Sequence, residues 1–244
     1  MSKRTKVWAH RGASGYAPEN TIEAFRLAAE MGADGVELDI QLSKDGELVV
    51  IHDENLERVS GVDRNVRDLT LSQLKELDVS RPIPDFRKVR IPTLSEVLEE
   101  LKNTKLKINI ECKTGIYFYP GLEEKAVKLV KHMDMTKRIW FSSFNHQSVM
   151  TIKSLCPKAK TGFLIADVMV DAASYAKKHG VNALHPSCYH MQDKELLAKC
   201  HKKGIAVNLW TVDDREDMRR YCLEGVDAII TDYPDIAKEV VRSL

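Results

Sequence analysis

The chain has 244 residues, 43% of them hydrophobic and 30% charged, and a formal net charge of +1. That composition suits one large α/β domain or two small ones and argues against a disordered or membrane-embedded chain. The near-neutral charge speaks against general nucleic-acid binding. No apolar run approaches the roughly 20 residues that span a bilayer, so no stable membrane association is expected.

The elements alternate along the chain. Val7–His10 reads as a strand and Thr21–Met31 as a helix, with Asn20 expected as its N-cap and Glu23 reaching back. Val36–Leu42 is the second strand. Lys44-Asp45-Gly46 is a hairpin signal, so Leu48–Asp53 should fold back antiparallel on it. Residues 54–92 break the rhythm with Pro82, Pro84, Pro92, many charges and one short helical stretch, Leu71–Leu77. They read as a small insertion shaping access to the strand ends, too short to be an independent domain.

Beyond it come helix Leu94–Lys102, strand Leu106–Lys113, helix Leu122–His132, strand Arg138–Phe144 and helix His146–Leu155. Strand Thr161–Ile165, helix Asp171–Lys178, strand Ala183–Ser187 and helix Lys194–Lys203 follow. Strand Ala206–Val212, helix Arg215–Glu224, strand Ala228–Asp232 and helix Asp235–Ser243 end the chain. Gly32, Gly180, Gly204 and Gly225 each follow a helical pattern, where a left-handed cap is expected. The hairpin accounts for the one strand in excess of the helices. The remaining strand–helix units predict a (β/α)₈ TIM barrel, a single domain over 1–244 with 54–92 as a small cap insertion after the hairpin on strand two.

In such a barrel the active site lies at the C-terminal ends of the strands. His10 ends strand one and Arg11 follows it; Glu37 and Asp39 stand two apart on strand two; His52 ends the hairpin arm. Glu111 and Lys113 end the next barrel strand, and Trp210 is near the end of strand seven. Side chains two apart on a strand share a face, and buried carboxylates need a counter-charge or a metal. Oxygen ligands from Glu37, Asp39 and Glu111 suit Mg²⁺ or Ca²⁺ better than zinc. His10 and His52 suit proton transfer near neutral pH. Arg11 and Lys113 add positive charge that would attract phosphate. A divalent metal, two histidines and two cations meet the needs of phosphodiester cleavage.

The motifs resemble those of the glycerophosphodiester phosphodiesterase family, bacterial cytoplasmic type. They are His10-Arg11-Gly12, Pro18-Glu19-Asn20-Thr21, Gly32 to Asp39, Asp45-Gly46 with Val49 to Asp53, Ile91-Pro92-Thr93-Leu94, Glu111-Cys112-Lys113, Trp210-Thr211-Val212 and Thr231-Asp232-Tyr233-Pro234. They occur in family order across 7–240; a local departure is Val59-Ser60-Gly61, where relatives commonly carry threonine two before the glycine. The resemblance implies metal ligation by Glu37, Asp39 and Glu111, acid–base chemistry by His10 and His52, phosphate contact by Arg11 and Lys113, and a small cap over the site. It implies hydrolysis of a small-molecule glycerophosphodiester to glycerol 3-phosphate and an alcohol. The substrate's own glycerol hydroxyl could attack first, giving a cyclic phosphate, or water could attack directly; the residues leave both open.

Other readings stand beside these. Arg11 could pair with Glu19 or Asp232 instead of phosphate. Trp210, on a face with Asn208, could wall the glycerol pocket or simply pack the barrel; Phe144, Tyr117 and Tyr119 are weaker candidates for its mouth. Cys112 alternates away from Glu111 into the core. Among the remaining histidines only His185, on a strand, calls for inspection. The rivals for function are a related barrel phosphodiesterase acting on another lipid-derived or cyclic phosphodiester, and an inactive ligand-binding barrel. The lack of an exposed apolar membrane-binding stretch argues against intact lipids. Five scattered cysteines (Cys112, Cys156, Cys188, Cys200, Cys222) with no Cys-x-x-Cys pair fit reduced thiols in the cytoplasm. The basic start, Met1 to Lys6, lacks an apolar segment after it, so no signal peptide is expected. The oligomeric state is not legible.

Overall fold

The computed structural model of the chain describes residues 4–83 and 85–244. Pro84 and the first three residues of the basic N-terminal hexapeptide lie outside the described residues. The strands are β1 (Lys6–Ala9), β2 (Gly35–Leu42), β3 (Leu48–Val50), β4 (Lys107–Cys112), β5 (Ile139–Ser143), β6 (Lys160–Ile165), β7 (Ala183–Pro186), β8 (Ala206–Leu209) and β9 (Ala228–Thr231). The helices are α1 (Ile22–Glu30), α2 (Glu57–Ser60), α3 (Leu71–Glu76), α4 (Leu94–Leu101), α5 (Leu122–His132), α6 (His146–Leu155), α7 (Ala172–His179), α8 (Leu196–Lys202), α9 (Arg215–Glu224) and α10 (Pro234–Ser243).

Parallel pairing runs β1-β9-β8-β7-β6-β5-β4-β2, and β1 pairs with β2 through Trp8↔Gly35 and Ala9↔Val36, which closes an eight-stranded barrel. This is the expected TIM barrel. The strands are almost wholly buried: β2 has no exposed position over its eight residues. That is the signature of parallel strands covered by helices outside and side chains inside. Strand β3 is the surplus arm, antiparallel to β2 with Ile40↔Val50 and Leu42↔Leu48. It pairs beyond the end of β1, so the hairpin extends β2 past the barrel rim.

Helix packing follows the periodicity. In α1 the inward face is Ala24, Phe25 and Ala28; burying Phe25 contributes on the order of 2–3 kcal/mol. Gly12 lies against this helix with φ +84, and a Cβ there would meet Ala24 at 2.6 Å. Gly180 and Gly225 are left-handed C-caps of α7 and α9, and Gly32 and Gly204, one residue past their helix caps, also have positive φ.

Two local expectations fail. The N-cap of α1 is Thr21, whose hydroxyl accepts from the Ala24 amide, not Asn20. Both residue types cap well; Asn20 instead has φ 58 and turns its side chain to Asp39. Full capping boxes form at Thr70 with Gln73 and at Thr93 with Glu96. Between β3 and α4 there is more helix than one stretch: α2 and a 3₁₀ turn at Val66–Asp68 precede α3. This region packs its own cluster, Leu56, Val59, Val66, Leu69, Leu74, Val79 and Val89, onto Val49 and Ile51 of the hairpin arm.

Inside the barrel, Trp8 and Trp140 meet edge to face at 5.6 Å and flank His185. Gly162 makes this possible, since a Cβ there would lie 2.4 Å from the His185 ring. His185 is fully buried, and burial pushes its pKa down to about 3. It is a neutral core histidine whose Nε2 meets the Asn208 amide at 3.1 Å.

Candidate active site

The C-terminal ends of the strands bring the expected residues together. Adjacent positions Asp39 on β2 and Glu111 on β4 pair directly, and Glu37 lies two residues down the same face of β2. Oxygens of Glu37, Asp39 and Glu111 lie within 4.8 Å of one another, and all three residues are buried. Glu37 Oε1 and Asp39 Oδ1 are buried without a hydrogen-bond partner. The other oxygens are held: Glu37 Oε2 accepts the Arg11 amide at 3.0 Å, and Asp39 Oδ2 accepts Asn20 Nδ2 at 2.8 Å. A buried carboxylate oxygen aimed at others without a donor is costly unless a cation joins it. The cluster is therefore compatible with a divalent metal.

Its electrostatics agree. Burial, then the charges of Asp39 and Glu111, holds the Glu37 carboxyl well above its usual range. Burial also raises Glu111, against the pull of Lys113. Asp39 goes the other way: burial opposes ionisation, but Arg11, His52 and Lys113 outweigh it.

The two histidines are oriented alike. His10 Nδ1 donates to Asp232 Oδ1 at 2.7 Å, and the Ser14 hydroxyl sits 2.9 Å from the same oxygen. His52 Nδ1 donates to Asp53 Oδ1 at 2.6 Å. With Nδ1 committed, Nε2 of each ring is the atom left for chemistry; that of His52 accepts from Lys113 Nζ at 3.1 Å. The backbone carrying His52 is fixed from below. Gln41 Nε2 lies 2.9–3.2 Å from the carbonyls of Ile51, His52 and Asp53, and Gln41 Oε1 accepts the Tyr119 hydroxyl.

The cations are tied to acids. Arg11, with φ 53, reaches Glu19 at 2.9 Å and Asp39 at 3.6 Å, so its pairing with Glu19 forms and that with Asp232 does not. Glu19 also takes both terminal nitrogens of Arg58, whose Nε donates to Asp53 at 2.6 Å. A continuous chain of ion pairs thus runs from Arg11 through Glu19 and Arg58 to Asp53, whose carboxylate also accepts from His52. Lys113 lies 3.1 Å from Glu111 and 4.0 Å from Asp39. Burial opposes its charge, but those carboxylates win and raise its pKa.

One small cavity is lined by His10, Arg11, Glu37, His52, Glu111 and Trp210, with Phe144 on its wall. Trp210 Nε1 donates to the His185 carbonyl at 2.7 Å, and its ring meets Phe144 edge to face at 5.5 Å. Tyr119 is buried under the hairpin arm and takes no part in this cavity; Tyr117 lies under the Arg67 guanidinium. Cys112 is buried, as expected of a core residue.

The Glycerophosphoryl diester phosphodiesterase family model matches residues 10–236. The chain belongs to this family. It is 44% identical over 240 residues to a glycerophosphodiester phosphodiesterase of Caldanaerobacter subterraneus subsp. tengcongensis, covering 98% of each chain. A Bacillus altitudinis protein of the same name is 38% identical over 239 residues, 97% of this chain and 98% of the relative. Among solved structures, an Oleispira antarctica phosphodiesterase in complex with the product sn-glycerol-3-phosphate superposes with a TM-score of 0.89 at 29% identity, over 98% of this chain and 97% of that one.

Sequence reasoning missed four contributors. Asp53 follows His52 directly, and that adjacency was the available signal. Asp232 stood in the motif Thr231-Asp232-Tyr233-Pro234 and as a possible partner for Arg11, with no role behind His10. Gln41 and Arg58 carried no signal apart from the fold.

Proposed function

We propose that this phosphodiesterase hydrolyses glycerophosphodiesters to glycerol 3-phosphate and an alcohol by two-histidine acid–base catalysis at a divalent-metal site. One observation carries the reading: two histidines, each held at Nδ1 by a carboxylate, border a buried cluster of three carboxylates with orphaned oxygens. Glu37, Asp39 and Glu111 would hold Mg²⁺ or Ca²⁺, both of which prefer oxygen ligands. When bound, that ion supplies Lewis-acid stabilisation of charge on the phosphoryl oxygens.

The chain's own groups do the rest. Arg11 and Lys113 contact the phosphate and add to the positive field. One histidine Nε2 takes the proton from the attacking oxygen; the other gives a proton to the leaving oxygen. Asp53 and Asp232 keep both rings in the tautomer with Nε2 facing the cavity and stabilise them when charged. The attacking oxygen is water's or the substrate's own glycerol hydroxyl, through a cyclic phosphate; both routes use the same two proton carriers. Trp210 walls the glycerol side.

The chain is read as one barrel domain with residues 54–92 as a small cap; Arg58 of that segment links it to Glu19 and Asp53 at the site. Five free cysteines fit a reducing cytoplasm. Among the described residues no helix is long and apolar enough to cross a membrane. The test is glycerol 3-phosphate release from a panel of glycerophosphodiesters, before and after chelation and with Mg²⁺ or Ca²⁺ restored. Release that stops on chelation and returns with metal supports the reading; full activity in the chelated protein overturns the metal assignment.

A further inference from the structure

Arg11 and His52 face one cavity from chain segments that the barrel itself does not join. Arg11 and Glu19 stand on the loop between β1 and α1, whereas His52 and Asp53 follow β3. β2 lies between β1 and β3 in the sheet. The hairpin arm is short, with Leu48–Val50 in strand pairing, and a two-stranded arm is weakly fixed by itself. Its far edge meets Thr93 through an isolated bridge at Val49 and the Pro92 carbonyl through the Val50 amide. Gln41 holds the backbone of residues 51–53 from below, but it does not touch the Asp53 carboxylate.

Arg58, on α2 of the cap, spans this gap. Its Nη1 and Nη2 donate to the two oxygens of Glu19 at 2.8 and 2.7 Å, and its Nε donates to Asp53 Oδ2 at 2.6 Å. A guanidinium is suited to this, because its planar fork grips one carboxylate with two donors and keeps a third for another. Glu19 Oε1 also accepts Arg11 Nη1, and Asp53 Oδ1 accepts His52 Nδ1. Arg58 is therefore one carboxylate away from Arg11 and one carboxylate away from the His52 ring.

The cap does not need this contact to stay seated. The Arg58 side chain is 45% exposed, and ion pairs at such positions contribute little to folding. The cap is held by its own apolar cluster on Val49 and Ile51, to which Arg58 does not belong. Backbone bonds from Leu56 to Arg64 and from Val66 to Glu54 close it internally. The charge of Arg58 has a further consequence. Burial would raise the Glu19 carboxyl, but the bonds from Arg58 and the charges of both arginines hold it below its ordinary value. Without Arg58, that carboxylate would be left to Arg11 alone and would draw its guanidinium away from an incoming phosphate.

We propose that Arg58 is a positioning residue for the phosphodiesterase reaction, through which the cap sets His52 by way of Asp53 and Arg11 by way of Glu19. The inference rests on the reading above of His52 as a proton carrier and Arg11 as a phosphate contact. Arg58 reaches neither of them directly. The cap is then a working part of the site as well as its cover.

The test is a pair of double-mutant cycles, read as glycerol 3-phosphate release from glycerophosphocholine and glycerophosphoethanolamine with kcat and KM separated. Arg58→Gln is made alone, with Asp53→Asn, and with Glu19→Gln. Alone it should lower kcat about tenfold and raise KM about fivefold, with an unfolding midpoint near wild type. On the Asp53→Asn background it should leave kcat nearly unchanged, and on the Glu19→Gln background it should leave KM nearly unchanged. In each case the contact through which it acts is already broken. Arg58→Lys keeps the charge but cannot span both carboxylates, so it should show the same kcat loss with the fold intact. Additive effects in either cycle, or wild-type kcat and KM in both Arg58 variants, overturn the inference. Activity lost in step with a lowered unfolding midpoint in both variants assigns Arg58 to cap stability and also overturns it. A wild-type protein that cleaves neither diester overturns the underlying phosphodiesterase reading instead.

Discussion

The two halves of the barrel mouth are built by different physics. The charged half is over-determined: Arg11, Glu19, Arg58, Asp53 and His52 form one chain of contacts, and the buried carboxylates beside them lack enough cation to balance them. The other half, over β4 to β7, is apolar: Ile116, Phe118, Phe144, Val168, Val170 and Tyr189 are exposed there, and the loops that carry them are joined through bonds to backbone carbonyls such as those of Thr114 and Asp167. The first half should therefore respond sharply to single substitutions and the second far less.

The largest effect should come from the two histidines proposed as proton carriers. His10→Ala or His52→Ala should each lower kcat by about a thousandfold with an unchanged circular dichroism spectrum; a near-wild-type rate in either would end the acid–base assignment. Their partners should matter less. Asp232→Asn or Asp53→Asn keeps the shape but loses the charge behind Nδ1, and about a hundredfold loss is expected. It should appear in kcat and displace the pH profile, while KM stays near wild type; a pure KM effect would make these aspartates binding residues instead.

A smaller effect separates the floor of the mouth from both halves. His185 has a folded-state pKa of about 3, below the roughly 6.5 of an unfolded histidine. Between those values the unfolded chain holds a proton that the folded chain does not, so stability falls as pH falls. The loss is about 1.4 kcal/mol per pH unit across that window, and none of it arises above the window. Urea unfolding of His185→Gln should be less stable at neutral pH yet lose less stability on acidification. Parallel acid limbs in the two proteins would show that His185 does not stay neutral.

Much of this architecture was legible in the sequence, for identifiable reasons. Barrel strands buried on both faces read as short apolar runs, and Asp45-Gly46 marked the one antiparallel turn. Glu37, Asp39 and Glu111 stood out because charged residues interrupt such runs. What was hidden depends on distance in space. Asp232 meets His10 across 222 positions of chain, and nothing local marks that pair. At Asn20 two neighbouring residues could both cap α1, and the tertiary hydrogen bond to Asp39 decided between them. The four-residue helix α2 is too short to show a period. The apolar half was invisible because each loop contributes only one or two of its side chains.

Glu37, Asp39 and Glu111 are expected to form a hard-cation site beside the two histidines. Calorimetric titration of Mg²⁺ and Ca²⁺ tests it without turnover. The wild-type protein should bind a single ion per chain and release protons, because the raised pKa of Glu37 and Glu111 means that protons compete with the metal. Affinity should weaken as pH falls, and Glu37→Gln should bind at least about tenfold more weakly. Metal binding that is absent, independent of pH, or unchanged in Glu37→Gln would contradict the account.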